Sequence, residues 1–224
     1  MTYVIYIDIT LMTTDRIVKR TRTAYGWGMR LTREQTDQNR QAILAAAERL
    51  FREHGIDGVG VADLMKAAGF THGGFYNHFA SKEALAAEAC GAALARASDA
   101  LEAQLAGGKT RPWKQYVEQY LSVEHRDDPA TGCTLGALAG DAARQGADVQ
   151  AQFAGAVERV IEILAAYLAR MAGEAGERPA ALRERAVQLW SELIGGLVLA
   201  RAVAAGDPAL SDEILAANRH KLLR

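Results

Sequence analysis

A short segment near residue 75 is rich in side chains that can form hydrogen bonds. It contributes hydroxyl, imidazole, amide and ammonium groups from Thr71, His72, Tyr76, Asn77, His78 and Lys82. Phenol and imidazole groups can hydrogen-bond phosphate oxygens, and a lysine adds a positive charge beside them. Gly73 and Gly74 lie among these residues, and without side chains they let the backbone come close to a base or a phosphate. These residue types indicate contacts with a nucleic acid.

Two short helices that meet at a glycine turn are predicted to position these groups. Apolar residues recur at helical spacing before Gly69, which suits a helix end with positive φ. Thr71 is predicted to cap a second helix over 72–79, with its hydroxyl accepting from the backbone. Phe75 and Phe79 lie four residues apart and are expected to face inward, leaving the polar residues outside. The pattern predicts a helix-turn-helix, whose second helix enters the major groove of DNA.

The run from Gly69 to Phe79, followed by Ser81-Lys82-Glu83-Ala84-Leu85, resembles the DNA-binding domain of the TetR family (TetR/AcrR-like) of bacterial transcriptional regulators. The shared pattern is small-Gly-apolar-Ser/Thr, then apolar-Tyr-x-His-Phe, then Ser-Lys-Glu-x-Leu, and the match extends back to Arg40. The resemblance implies phosphate contacts from Thr71, Tyr76, His78 and Lys82. It also places His72, Gly73 and Asn77 at base edges, with Gly74 beside them.

Two further phosphate contacts are expected near the start of this domain. Arg40 lies near the beginning of the first predicted helix, 35–54, from which its side chain can reach a phosphate. Gly60 stands where members of the family usually carry Ser or Thr. Only the backbone N–H groups of that helix end therefore remain to bind the phosphate.

Composition favours an all-α protein. Half of the 224 residues are hydrophobic, and alanine and leucine greatly outnumber β-branched residues. Helical periodicity and break residues predict about nine helices. We expect an N-terminal three-helix helix-turn-helix domain over residues 30–80 and a C-terminal helical ligand-binding and dimerisation domain over 81–224.

Residues 1–29 are predicted to be a disordered or weakly ordered extension. Members of the family usually begin their first helix soon after the initiator methionine, and Met29 stands at that place. Our hypothesis is that residues 1–28 come from an over-long reading frame and are not part of the native protein. The alternative is a basic arm that contacts DNA through the four cationic side chains of Arg16, Lys19, Arg20 and Arg22.

Charge is distributed unevenly along the chain. The net charge is −1, but residues 30–82 carry seven basic and six acidic side chains, whereas residues 83–224 carry 15 basic and 19 acidic side chains. Cys90 and Cys133 have neither disulfide nor metal-ligand spacing, so we expect no metal, no cofactor and a reducing cytoplasm, with association to the nucleoid when DNA is bound. We expect no apolar run as long as the ~18 residues that a membrane-spanning helix needs. The five histidines are scattered and no catalytic motif is present, so an enzyme is not expected.

The C-terminal part is predicted as a series of helices with short breaks. The helix that begins at Ser81 is expected to run to about Ala106. A polar loop is expected over 125–133, then a helix from Cys133 to Gly146 and a longer one capped by Asp148. The last two long helices are predicted over 180–205 and 209–222. Gly195-Gly196 lie inside the former, which suggests that a neighbouring helix packs very close to them.

The resemblance places the binding of a small-molecule effector in this C-terminal part. The apolar interior with polar tips suits a flat, mostly apolar or aromatic compound. The candidate ligand contacts are Trp113, Tyr116, Tyr120, Cys133, Phe153 and Trp190. Cys133 follows Gly132 at a predicted helix start, where backbone amides favour a thiolate, so a redox or electrophile sensor is an alternative.

These features together predict a ligand-responsive transcriptional regulator. We expect a homodimer paired through the helices 180–205 and 209–222, bound to a palindromic operator on double-stranded DNA. Repression is expected to end when the effector shifts the helix that begins at Ser81. A constitutive DNA-binding protein is the other alternative, and it would not need a large aromatic-lined second domain.

Overall fold

The computed structural model describes residues 32–107, 111–173 and 178–224, and these residues contain helices and no strand. The described residues from Gln38 to Arg224 belong to one compact unit. The predicted all-α fold is confirmed over the described residues. The predicted extension over 1–29, and its alternative role as a basic arm, lie outside them. The domain boundaries predicted at residues 30 and 81 stay predictions.

Helix α1 spans Arg33–His54 and begins with a reciprocal pair of hydrogen bonds. The Gln35 N–H donates to Thr32 Oγ1 across 3.1 Å, and the Thr32 N–H donates to Gln35 Oε1 across 2.9 Å. This capping box satisfies two backbone donors that have no partner inside the helix. The chain leaves the helix at Gly55, whose φ of 77° is unfavourable for a residue with a side chain. The buried face of the helix is formed by Ile43, Leu44, Ala46, Ala47 and Phe51.

Helix α2 spans Val61–Ala67 and leads into the predicted glycine turn. Gly69 has a φ of 85°, as predicted, and the Phe70 N–H donates to the Met65 carbonyl oxygen across 2.8 Å. That bond returns the chain towards α2 and closes the end of the helix. The turn therefore sets the angle at which the following helix leaves α2.

The second helix of the motif is a 3-10 helix over His72–Asn77, called the recognition helix from here on. The sequence analysis was wrong to extend it to Phe79. It was also wrong about its cap, because the Thr71 side chain makes no capping hydrogen bond. Gly73 and Gly74 are poor helix formers, and short helices close more readily with i to i+3 bonds than with a full α-helical turn.

Seven α-helices follow the recognition helix. Helix α3 begins at the predicted cap, where Ser81 Oγ accepts from the Ala84 N–H across 3.1 Å. The elements are α3 (Lys82–Ala106), α4 (Pro112–Tyr120), α5 (Val123–Asp127), α6 (Thr134–Ala142), α7 (Ala147–Ala172), α8 (Pro179–Val203) and α9 (Pro208–Leu222).

Three details of the C-terminal prediction need correction. Residues 125–133 were predicted as a polar loop, but residues 125–127 belong to the short helix α5. That helix begins after Ser122, whose Oγ accepts from the His125 N–H across 3.1 Å. Helix α6 ends at Ala142 instead of Gly146. Gly146, and not Asp148, is the N-cap of α7, so Asp148 lies in the first turn, where its charge favours the helix dipole.

The core of the C-terminal part is built from long helices packed side by side. Helix α3 packs on α7, α7 on α8, and α8 on α9. A Cβ at Gly196 would lie 2.9 Å from Asn218 Cγ, so α9 approaches α8 at this glycine as predicted. Within the single chain, a Cβ at Gly195 would meet nothing within 4 Å, so no helix of the same chain approaches this glycine.

Helix α8 is long and apolar enough to satisfy a membrane-span criterion of length and hydropathy, which the sequence analysis did not expect. Its buried residues face α7 and α9, and a core helix of a globular protein has the same composition. The criterion alone is weak evidence for a membrane segment.

Candidate nucleic-acid interface and effector cavity

The recognition helix is held by its aromatic residues and presents its polar ones outward. Phe75 is fully buried and Phe79 is 4% exposed, and their ring centroids lie 5.8 Å apart. Tyr76 is 68% exposed although it is aromatic. His72, Gly73 and Asn77 are also exposed, and Gly74 is half-buried. The predicted division into an inward and an outward face is confirmed.

Glycine is not required by the fold at the outer positions of the recognition helix. A Cβ at Gly73 would meet nothing within 4 Å, and its φ is not in the left-handed region. A Cβ at Gly74 would make an ordinary contact of 3.6 Å with Met65 Cε. Gly73 therefore lowers helix stability without relieving any contact among the described residues.

The polar groups beside the recognition helix differ in accessibility. Thr71 is exposed with its hydroxyl unused in capping, and Lys82 and His78 are half-buried. The buried Nδ1 atom of His78 has no hydrogen-bond partner among the described residues. Gly60 is exposed at the start of α2 without a side-chain cap. The structure thus brings the predicted contacts of residues 71–82 together on one short segment, and their roles towards DNA stay predictions.

Arg40 has a partner that the sequence analysis missed. Its two terminal nitrogens each bind one carboxylate oxygen of Glu88, and its guanidinium carbon lies 4.5 Å from the centroid of the Phe79 ring. The pair joins α1 to α3, and the predicted contact between Arg40 and a phosphate stays a prediction. Because 48 residues separate the two, helical spacing could not reveal the pair.

A cavity of about 530 Å³ lies among α3, α4, α6, α7 and α8. Four of the six predicted ligand contacts line it: Tyr116, Tyr120, Cys133 and Trp190. Apolar side chains from α3, α6 and α7 form much of the remaining wall. The sequence analysis missed the polar lining, which includes Ser98, Gln104, Gln119, Glu124, His125 and Asp128.

Trp113 and Phe153 do not line the cavity. The Trp113 Nε1–H donates to the Leu222 carbonyl oxygen across 3.1 Å, and the indole stacks on Tyr116 with ring centroids 6.1 Å apart. Trp113 therefore ties α4 to the end of α9. Phe153 lies on α7, is 7% exposed, and belongs to the hydrophobic core. Both were predicted because they are aromatic residues in the part of the chain where the resemblance places the effector, and buried aromatic residues also form ordinary core contacts.

His125 organises the polar end of the cavity. Its Nδ1 lies 2.6 Å from the Tyr120 carbonyl oxygen and donates to it, and its Nε2 accepts from the Cys133 N–H across 3.1 Å. This arrangement requires a neutral imidazole, because only then can Nε2 accept. Burial lowers the pKa of His125 below its usual value, in agreement with the neutral form.

Three other polar groups at this end lack hydrogen-bond partners among the described residues: Tyr120 Oη, Trp190 Nε1 and Arg201 Nη1. Burial raises the pKa of Tyr120 well above its usual value, and the neighbouring Cys133 adds to the rise. Arg201 uses its other nitrogens to donate to the carbonyl oxygens of Arg126, across 3.0 Å, and His125, across 2.6 Å. Burial lowers the pKa of Arg201.

The loop that carries Cys133 is bonded to the end of α1. The Arg52 Nε–H donates to the Ala130 carbonyl oxygen across 2.7 Å, and Nη1 lies 3.4 Å from Thr134 Oγ1. Beyond α6, the Gln145 side-chain amide donates to Asp57 Oδ2 across 3.1 Å. The 128–133 wall of the cavity therefore contacts Arg52 at the end of α1, and the segment after α6 contacts Asp57.

The fold and its two sites define a class: a helix-turn-helix protein whose helical C-terminal part contains a cavity open to solvent. Residues 43–89 match the family described as bacterial regulatory proteins, tetR family. The matched residues comprise the last part of α1, the helix-turn-helix and the start of α3.

Curated relatives match only around the helix-turn-helix. The chain is 39% identical over 59 residues to the HTH-type transcriptional regulator AcrR of Shigella flexneri, a segment that covers 26% of this chain and 27% of AcrR. It is 39% identical over 57 residues to the HTH-type transcriptional regulator TtgR of Pseudomonas putida, covering 25% and 27%. The match thus spans about a quarter of the length of these relatives.

Solved structures match over most of the chain. The reduced form of NemR from E. coli superposes with a TM-score of 0.70 at 22% identity, covering 83% of this chain and 95% of NemR. A TetR-family regulator from Agrobacterium tumefaciens gives a TM-score of 0.68 at 19% identity, covering 83% and 98%. At such identities the likeness establishes the fold alone.

Proposed function

We propose that this protein is a homodimeric, sequence-specific DNA-binding regulator that represses transcription from a palindromic operator until a small molecule releases it. The observation that carries the proposal is the recognition helix, which buries Phe75 and leaves His72, Tyr76 and Asn77 exposed. Outward polar groups on a firmly packed short helix suit readout of base edges in the major groove.

Each exposed group has a proposed role on DNA. Thr71, Tyr76, His78 and Lys82 hold phosphates and set the register, with Arg40 and the amides at Gly60 completing the backbone contacts. His72 and Asn77 read base edges. Gly73, with Gly74 beside it, lets the backbone of the recognition helix lie against the base pairs. The match of residues 43–89 to the tetR family and the exposed face of the helix support this assignment.

The proposed dimer interface is the outer face of α8 and α9. One recognition helix contacts only a few base pairs, so specific affinity needs two copies related by a two-fold axis. Leu199 is 58% exposed and Val198 is 40% exposed, which is unusual for adjacent large apolar residues on a long helix. The Cβ of a residue at Gly195 would meet nothing within 4 Å, which leaves room for close approach of a second α8.

Release of DNA is proposed to begin in the cavity. Its volume and apolar walls suit a flat, mostly apolar compound of drug-like size. Arg52 connects the 128–133 wall of the cavity to the end of α1, and α3 runs from the recognition helix to the opposite wall. A compound that binds more tightly when these elements shift would change the spacing of the two recognition helices and so weaken DNA binding.

The direct test uses the purified full-length protein and the DNA upstream of its own gene. We expect protection of an inverted repeat, with affinity that falls as salt rises. A screen of planar aromatic compounds against that complex is expected to yield at least one that releases the DNA. Absence of preference for any duplex in a randomised pool, at modest ionic strength, would falsify DNA recognition.

Two alternatives predict different outcomes. A constitutive DNA-binding protein would protect the repeat but would show no compound-dependent release. A thiol-based sensor acting through Cys133 would respond to oxidants or electrophiles and lose the response when Cys133 is replaced. The position of Cys133 on the cavity wall favours this second alternative over the first. A cytoplasmic location, on the nucleoid when DNA is bound, follows from either.

A further inference from the structure

An ion pair with two hydrogen bonds joins α1 to α3 beside the recognition helix. We propose that its carboxylate, Glu88, is a positioning residue for DNA recognition: it holds Arg40 against Phe79 and thereby fixes the orientation of the recognition helix. In this role Glu88 determines how strongly the protein prefers its operator over other DNA. The inference rests on the proposed function, because it adds a residue, outside the proposed DNA contacts, on which selective recognition depends.

The N-cap at Ser81 sets the place of Glu88 on α3. Ser81 Oγ accepts from the Ala84 N–H across 3.1 Å, so α3 begins at a fixed point of the chain. Glu88 comes three residues after the fully buried Leu85, and its side chain is 39% exposed. Residues three apart share a helix face. Glu88 therefore lies at the edge of the buried face of α3, from which its carboxylate reaches α1.

Glu88 and Phe79 hold Arg40 between them. Arg40 Nη1 binds Glu88 Oε1, Nη2 binds Oε2, and the guanidinium carbon lies 4.5 Å from the centroid of the Phe79 ring. Two parallel bonds between a planar guanidinium and a carboxylate fix the orientation of the pair as well as its distance. The face of the aromatic ring also attracts the cation. The position of the guanidinium over Phe79 is therefore set from α3.

Phe79 connects this ion pair to the recognition helix. The Phe79 N–H donates to the Phe75 carbonyl oxygen across 3.1 Å, and the two ring centroids lie 5.8 Å apart. Phe75 is fully buried, and its ring meets that of the exposed Tyr76 edge to face, with centroids 5.2 Å apart. Direct contacts thus connect Glu88 to the face of the recognition helix that carries Tyr76.

The pair contributes to geometry more than to stability. The side chains of Arg40 and Glu88 are 33% and 39% exposed. Ion pairs this accessible add little to the free energy of folding, because water and salt screen them. Hydrogen bonds to base edges depend strongly on direction and distance, whereas attraction to phosphates depends mainly on charge. Loss of the pair should therefore reduce the preference for one sequence more than it reduces general affinity for DNA.

A second ion pair between the same helices provides a matched control. Arg96 of α3 binds Glu48 of α1, and each partner lies eight residues beyond the corresponding member of the first pair. The two helices therefore run side by side in the same direction. Among the described residues, the Arg96 guanidinium lies over no aromatic ring. Removing the carboxylate of Glu48 changes the net charge as much as removing that of Glu88, but it leaves the contact with Phe79 intact.

The test measures DNA preference in full-length variants. The probes are a duplex that the wild-type protein selects from a randomised pool and a scrambled duplex of the same length and composition. Glu88→Gln keeps the shape of the side chain, but its amide offers an acceptor to only one of the two guanidinium nitrogens. We expect the ratio of the two affinities, measured by fluorescence anisotropy, to fall at least tenfold in E88Q. In E48Q the ratio should stay within threefold of the wild type.

Two further measurements distinguish positioning from a loss of folded protein. A smaller folded fraction lowers both affinities by the same factor and leaves their ratio unchanged. Arg40→Lys keeps the charge but loses the planar fork, so the ratio should fall here too, and adding E88Q should change it less than threefold further, because both changes act through one contact. In the protein without DNA, amide hydrogen exchange over residues 72–79 should be at least threefold faster in E88Q than in E48Q.

The outcomes separate the inference from the proposed function. A ratio in E88Q within threefold of the wild type overturns the inference, and so does an equal fall in E48Q. A changed salt dependence with an unchanged ratio also overturns it, because Glu88 would then act only on the phosphate contact of Arg40. Wild-type protein that selects no duplex contradicts the proposed function. Hydrogen exchange over 72–79 then still decides whether Glu88 holds the recognition helix.

Discussion

The Nε–H of Arg52 donates to the carbonyl oxygen of Ala130 across 2.7 Å. This single bond joins the last turns of α1, which support the helix-turn-helix, to the loop that ends at Cys133. Its acceptor is a main-chain carbonyl group, so a shift of the loop backbone moves the hydrogen bond itself. Arg52 is half-buried and burial lowers its pKa, as expected for a cation held between two segments instead of in solvent.

Replacing Arg52 by Met is expected to uncouple the cavity from DNA. The methionine keeps part of the apolar stem but cannot donate to Ala130. We expect operator affinity without effector to stay within about threefold, and effector-induced release to fall by roughly tenfold, a coupling loss of about 1.4 kcal/mol. Fluorescence anisotropy of labelled operator with and without effector measures both quantities.

The matched control is Arg49→Met in the same helix. Arg49 pairs with Glu53 across 3.1 Å on the exposed side of α1, and among the described residues it makes no hydrogen bond to the 128–133 loop. We therefore expect Arg49→Met to leave effector-induced release of DNA unchanged. If R52M and R49M released DNA equally well, the bond to Ala130 would have no part in the coupling.

Gly73→Ala is expected to stabilise the protein and to weaken its binding to the operator. A Cβ at this position meets nothing within 4 Å, so the added methyl should raise the free energy of unfolding by about 0.5–1 kcal/mol. On DNA the same methyl would stand between the recognition helix and the base pairs, and we expect roughly tenfold weaker operator binding. Chemical denaturation and anisotropy provide the two measurements.

Gly155→Ala serves as the control for Gly73→Ala. Gly155 is exposed in α7, and its Cβ would likewise meet nothing within 4 Å. We expect a similar gain in stability with no change in DNA affinity. Equal operator affinity of G73A and the wild type would show that Gly73 does not approach the bases.

The sequence predicted local features well because their causes are local. The positive φ at Gly69, the Ser81 cap and the inward Phe75 and Phe79 each follow from a few neighbouring residues. The all-helical fold followed from composition and period. The 3-10 form of the recognition helix was missed because two adjacent glycines weaken α-helical preference without showing which alternative replaces it.

The cavity was only partly predictable because its wall is assembled from distant segments. Aromatic character suggested Tyr116, Tyr120 and Trp190, which line the cavity, yet the same signal suggested Trp113, whose indole is bonded to Leu222. The partners Arg52 and Ala130 are 78 residues apart, and no periodicity connects them. Such contacts depend on how helices pack, which the pattern of one chain does not specify.

Substitution of His72 is expected to change the sequence preference of DNA binding, whereas substitution of Lys82 is expected to change the affinity for every sequence. His72→Ala removes a proposed base contact, so it should cost about 1–3 kcal/mol on the preferred operator and less on other sequences. Lys82→Ala removes a proposed phosphate contact, so it should weaken all sequences alike and reduce the salt slope by about 1. Titrations on the operator and on mutated duplexes at several salt concentrations measure the difference. Identical effects of both changes on every duplex would contradict the assignment.

The pH dependence of stability is expected to report on His125. Its pKa is lowered in the folded protein from the usual 6.5, so the unfolded chain binds the proton more readily. The stabilising contribution should be fully present above pH 6.5 and should be lost as the pH falls from there through the lowered pKa. Denaturant titrations over this range test it. His125→Gln should flatten the decline.

Leu199→Glu is expected to break the proposed dimer without unfolding the subunit. Leu199 is 58% exposed in the single chain, so a carboxylate there stays solvated unless a second α8 covers it, and burial of an unpaired charge is costly. We expect a monomer by sedimentation, unchanged helical content by circular dichroism, and operator affinity lower by at least about 100-fold, since two linked half-sites are lost. Met171→Glu is the control, because Met171 is 67% exposed on α7, outside the proposed interface, and should leave the dimer intact. A Leu199→Glu protein that still sediments as a dimer would place the interface elsewhere.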